Sequence, residues 1–135
     1  MPDVDLSRSV QQLEDDDWGE PVPGATHLLT TVLGLRRNPL AELAVEDLRI
    51  MLGQGVGLPF LVPLALDLLA ADPLAEGDYY RGDLLSVVLR RFSEWEREVP
   101  DARARVTAIA RRVDLEDPEI PSSVRDRVSG FLAGG

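Results

Sequence analysis

Lysine and cysteine are absent from this chain of 135 residues, and histidine occurs once, at position 27. Each absence removes a class of chemistry. Without lysine there is no Schiff base and no phosphate loop ending in Gly-Lys. Without cysteine there is no thiol nucleophile, no disulfide and no thiolate zinc site. A metal site taking two histidines from one chain is excluded as well. Carboxylate chemistry stays open, as does a Ser, Thr or Tyr working with a single imidazole. The lack of cysteine says nothing about redox compartment.

Positive charge is scarce. Fourteen basic residues, all arginine, stand against 24 acidic ones, for a net charge of -10. Phosphate binding needs the opposite sign and usually a basic stripe, so nucleic acid is not expected as a direct ligand. Long apolar runs are missing too. The most apolar stretch, Leu58 to Ala71, has 11 of its 14 positions hydrophobic, is interrupted by Asp67 and is preceded by Gly57, Gly55 and Gly53. A membrane span needs about 20 such positions, so this stretch is expected to be a buried core helix. The opening residues Met1, Pro2, Asp3, Val4 and Asp5 have neither the positive start nor the apolar segment of a secretory signal, and a cytoplasmic protein is expected.

What is present is helical periodicity. With 44% hydrophobic residues, the chain can close one core, and a single domain over residues 1–135 is expected. Leu6, Val10 and Leu13 predict a short opening helix capped by Asp5. Leu28, Leu29, Val32, Leu33 and Leu35 form the apolar face of a second helix, starting at Thr26 and stopping at Asn38-Pro39. A third runs from Ala44 to Gln54 with Leu48, Met51 and Leu52 inward, and a fourth from near Pro59 to Ala71. Leu84, Leu85, Val88, Leu89 and Phe92 mark the clearest amphipathic helix, capped by Asp83. Ala102, Val106, Ile109 and Val113 give another stripe, and Val124, Val128, Phe131 and Leu132 the last, capped by Ser122 or Ser123. No segment alternates with period two. The fold class predicted is all-α, a bundle of six or seven short helices.

Several motifs reduce to structure. Gly53-Gln54-Gly55-Val56-Gly57 has glycines spaced somewhat as in a nucleotide loop, but it follows a helix and Leu58 stands where the third glycine belongs. It reads as a helix stop with close backbone packing, in which Gln54 is free to bond exposed carbonyls. Arg81-Gly82-Asp83 is better explained by a cap at Asp83 than as an adhesion tripeptide. His27 lacks a serine elbow to work with, so no catalytic triad is expected. Asp67, Asp72, Glu76, Asp78 and Asp83 lack the alternation of a calcium loop, and no metal or cofactor is expected. The arginines from Arg90 to Arg112, interleaved with acids, read as solvated faces with exposed ion pairs.

The acidic run Glu14-Asp15-Asp16-Asp17-Trp18-Gly19-Glu20 is the most informative surface feature. It sits at the negative end of the first helix, where carboxylates are disfavoured, and so calls for a reason other than helix stability. It is either a solubilising loop or a patch that steers a basic partner. Trp18 is either an exposed anchor or a lid folded on the bundle. Tyr79 and Tyr80, next to Asp78, carry the same two readings. The candidate partner-binding residues are therefore Asp15, Asp16, Asp17, Trp18, Glu20, Asp78, Tyr79 and Tyr80.

Several ordered blocks carry a family resemblance: Leu13 to Pro21, Asn38-Pro39-Leu40, Glu46 to Leu58, Val62 to Leu66, Asp72 to Gly77 and Tyr80 to Leu85. Together, over about residues 13–95, they resemble the immunity proteins of contact-dependent growth inhibition (CDI) systems. The resemblance implies a small cytoplasmic protein that binds the toxic C-terminal domain of an effector from a neighbouring bacterium and blocks its active site or substrate surface, without catalysis. Toxins of such systems are frequently nucleases with basic surfaces, which an acidic blocker suits. The chain departs from the pattern at Arg81, where proline is expected, and at Arg37, where lysine is common. The repeated blocks also hold helix-end acids such as Glu46, Asp47, Asp72 and Asp83, with one of which Arg49 can pair. The competing class is a helical interaction or scaffold protein that assembles with itself or another chain. A carboxylate hydrolase ranks last.

Overall fold

The computed structural model describes residues 5–134, and among them it contains eight α-helices and no β-strand. These are α1 (Val10–Glu14), α2 (His27–Leu35), α3 (Val45–Gly53), α4 (Leu58–Ala71), α5 (Asp83–Arg90), α6 (Phe92–Trp95), α7 (Ala102–Arg111) and α8 (Ser122–Gly134), with a 3-10 turn at Leu40–Glu42. The all-α bundle is as expected. The helix beyond the expected seven is α6, a single turn split from α5 at Arg91 with no glycine or proline to announce it. Positions 1–4 of the opening segment read for a targeting signal lie outside the described residues.

Local chemistry accounts for the helix ends and corrects three of the expected caps. That of α8 is among them, since the helix begins at Ser122 itself, after Pro121, whose carbonyl accepts from the Val124 and Arg125 amides. Helix α1 starts after Ser9, not Asp5. The Gln12 amide donates to Ser9 Oγ at 3.2 Å while the Ser9 amide donates to Gln12 Oε1 at 2.9 Å, a reciprocal cap. Asp5 instead accepts from the amide and hydroxyl of Ser7, and Leu6 stays exposed. Thr26 caps α2 through the Leu29 amide. Only Val32, Leu33 and Leu35 of that helix are buried, so Leu28 and Leu29 do not join the core as expected. Gly57, with φ 67°, starts α4 against α1, and a Cβ there would stand 3.1 Å from both Val10 methyls. The glycine run is thus a helix stop with close packing, as its sequence indicates.

One hydrophobic core runs through the bundle, and α5 is its axis. Every residue from Asp83 to Leu89 is buried, because α3, α4 and α8 close round the helix where the sequence suggests a half-exposed amphipathic one. Trp95 is fully buried. Its Nε1 donates to the Val88 carbonyl at 2.9 Å, and its ring meets Phe92 edge-on. An isolated bridge between Ser9 and Pro39 ties the start of α1 to the segment after α2, and the Gln11 amide donates to the Arg36 carbonyl. That tie sets the acidic run beside Arg36 and Arg37.

Candidate functional site

The acidic run is fastened to the end of α2 by two adjacent arginines. Arg36 is 1% exposed and donates to the Glu14 carboxylate and to the Asp16 carbonyl, while its guanidinium lies 3.8 Å from the centre of the Trp18 ring. Trp18 Nε1 in turn donates to the Asp16 carboxylate at 3.1 Å. Arg37 donates to Glu20 at 2.9 Å and to the Gly19 carbonyl at 2.9 Å, with Asp17 at 3.8 Å. Two cations at a helix C-terminus are electrostatically well placed, and the anionic loop gathers on them. The run is therefore less negative than its composition. Among the described residues, Glu14, Asp17 and Glu20 have guanidinium partners, and Asp15 and Asp16 are the two carboxylates of the run without one. Trp18 is a lid on Arg36 that keeps 45% of its surface exposed.

The tyrosine loop has a second clamp, built from α3 and α5. Asp83, expected to cap α5, is its first residue, and Gly82 with φ 88° occupies the cap position. The Asp83 carboxylate, with its side chain 1% exposed, points back into the loop and accepts from the amides of Gly77, Tyr79 and Tyr80 at 2.7, 3.1 and 3.4 Å. The remaining amide, that of Asp78, donates to Glu46 at 2.8 Å. Arg49, one turn along α3, grips both oxygens of Glu46, stands 3.9 Å from Asp83 and stacks 4.2 Å from the Tyr79 ring centre. Every amide from 77 to 80 is thus committed to a carboxylate. Tyr79 is held with 71% of its surface exposed, Asp78 is exposed, and Tyr80 packs on the core.

The clamp carries a pH dependence. Hydrogen bonds from Arg49 hold the Glu46 carboxyl below the ordinary carboxylate range, with the Asp78 amide adding to them against the opposing effect of burial. A carboxyl whose folded pKa is depressed contributes stability that is full above its unfolded value, about 4.3 for Glu, and is lost as pH falls through the folded value. Acid should therefore weaken the tether. Glu46→Gln is expected to flatten the acid limb of stability below about pH 4.3, measured by urea unfolding at stepped pH. An unchanged limb would count against the tether.

The candidate residues thus fall on two separate clamps with no residue in common, Asp15, Asp16, Asp17, Trp18 and Glu20 on one, and Asp78, Tyr79 and Tyr80 on the other. Sequence reading missed Arg36, noted Arg37 only as a departure from the family pattern, and placed Glu46 and Asp83 as helix-end acids. The pairing of Arg49 with such acids is present. A family model of CDI immunity proteins matches residues 12–106, more than two thirds of the chain. The chain belongs to this family. No curated protein matches it. Membership implies toxin neutralisation and a protein partner, the cognate toxin. Both clamps of this CDI immunity protein lie inside the matched span, whereas α8, which covers α5, lies outside it. His27 is exposed at the start of α2. No helix among the described residues is long and apolar enough to cross a membrane.

Proposed function

We propose that this immunity protein acts in the cytoplasm as a stoichiometric blocker, forming a 1:1 complex with a basic toxin domain, most simply a nuclease, and covering its active site or substrate surface. It performs no catalysis and uses no cofactor. Family membership over residues 12–106 carries this reading, and the net charge of -10 supplies the sign of the partner. Asp15 and Asp16 supply charge that no cation among the described residues pairs with, with Asp17 and Glu20 behind them. Trp18 and Tyr79 supply aromatic surface that is already held in place, which lowers the ordering cost of association. Asp78 and Tyr80 flank Tyr79 on the same loop.

The test is kinetic. Asp15→Arg with Asp16→Arg is expected to slow association with the co-encoded toxin domain several-fold at low ionic strength, and the difference should shrink as salt rises. Equal association rates for variant and wild type would remove the steering role. Exposure of Leu28 and Leu29 on α2, 43% and 41%, favours a second reading as a self-assembling scaffold. Light scattering separates the two, since a stable homo-oligomer that excludes the toxin would support the scaffold.

A further inference from the structure

Among the described residues, a cationic concavity of this acidic molecule lies away from the acidic loop. Two hollows, of about 180 and 420 Å³, adjoin along α5 and α8 and share Arg90 and Arg127 on their walls. The first reaches Arg49 and Tyr79, and the second is walled by Leu89, Phe92 and Phe131. Arg103 lies over Phe92 and Phe131, 4.8 and 5.6 Å from their ring centres. Carboxylates outnumber cations in this chain by 24 to 14. Even so, among the described residues none stands within ion-pair distance of Arg90, Arg127 or Arg103, although Asp83, committed to the tyrosine loop, lines the first hollow and Asp126 the second. The arginines of the run from Arg90 to Arg112 are paired at Arg91 with Glu94 and at Arg105 with Asp67, as the sequence suggests, whereas exposed Arg90 and Arg103, and Arg127 on α8, are left without an acid partner among the described residues.

We propose that this groove receives a carboxylate-bearing segment of the toxin. Arg90 and Arg127 take the carboxylate, and half-buried Phe131, backed edge-on by the buried Phe92, takes an apolar side chain next to it. The guanidinium fork matches a carboxylate in two parallel hydrogen bonds. A polynucleotide fits less well, because the net charge of -10 repels it and the Phe floor offers it no phosphate contact. A basic toxin still carries carboxylates. A contact of each sign, the acidic loop at one place and this groove at another, then admits only one orientation of the partner. The inference rests on the toxin-binding reading above.

Two variants test it by different routes. Arg90→Glu with Arg127→Glu reverses the charge. Gly130→Leu places a side chain where a Cβ would meet nothing within 4 Å, on a helix that leucine favours over glycine, so it obstructs the groove without weakening the fold. Binding to the co-encoded toxin domain is measured by surface plasmon resonance, with thermal unfolding as the check on folding. The charge-reversed variant is expected to bind about 10- to 100-fold more weakly, mainly through faster dissociation. Gly130→Leu should weaken binding while unfolding at the same temperature as wild type or higher. If wild type binds the toxin and both variants bind equally well, the groove proposal alone falls. If wild type does not bind, the toxin-binding reading falls and takes the groove with it. A short single-stranded RNA that saturates the wild-type chain alone, and loses binding on charge reversal, would assign the groove to nucleic acid and overturn the proposal.

Discussion

Asp83→Ala is expected to lower the free energy of unfolding by about 3 kcal/mol, or about 10 °C in Tm, and to weaken toxin binding by about tenfold as the display of Tyr79 is lost. The physical reason is the commitment of one buried carboxylate to three loop amides. Charge-assisted bonds of this kind are stronger than neutral ones, and amides left unpaired lose the full cost of their desolvation. Arg49 would keep Glu46 and Glu46 would keep the Asp78 amide, so one tether survives and the loop loosens without detaching. Asp83→Asn retains an acceptor oxygen and should lose about half as much stability. Urea unfolding and hydrogen exchange at Gly77, Tyr79 and Tyr80 measure the effect. Unchanged protection of those three amides in Asp83→Ala would disprove the clamp.

Asp83 also illustrates what was legible in the sequence. An acid ahead of a leucine stripe reads as a cap, and the helix it opens is present. Nothing local reveals that Gly82 takes the left-handed cap conformation and turns the carboxylate backward. At Gly82 a Cβ would come within 3.0 Å of Val124 and 3.1 Å of Leu74, so the choice of glycine depends on contacts far along the chain. Helix stripes were readable because Leu and Val recur at 3.6-residue spacing. Which face of a stripe finds a partner was not, as the exposure of Leu28 and Leu29 and the all-round burial of α5 show. The start of α1 had a readable signal, since Ser9 and Gln12 have the spacing of a reciprocal cap. The candidate residues were recognisable as charge and aromatic surface, whereas the arginines that hold them are remote in sequence. Arg36 reaches Glu14 across 22 positions, and Glu46 reaches the Asp78 amide across 32.

Arg36→Met tests the other clamp and should cost about 3 kcal/mol of stability. Methionine keeps the buried stem and removes only the charge and donors, which isolates the electrostatic part. The cost does not come from stranding Glu14, whose side chain is 28% exposed and can rehydrate. It comes from removing the buried cation that the Asp16 carbonyl, Glu14 and the Trp18 ring share, and from leaving Glu14, Asp15, Asp16 and Asp17 to repel one another. Repulsion of that kind is screened by salt, whereas lost hydrogen bonds are not. The loss of stability should therefore shrink on raising salt to about 1 M without vanishing. A Glu-specific protease should cleave after Glu14 faster in the variant, because the loop loses one of its two arginine tethers while Arg37 keeps the other. If Arg36→Met unfolds at the wild-type denaturant concentration and is cleaved no faster, the acidic loop is held by its own turns, and its readiness for a partner owes nothing to α2.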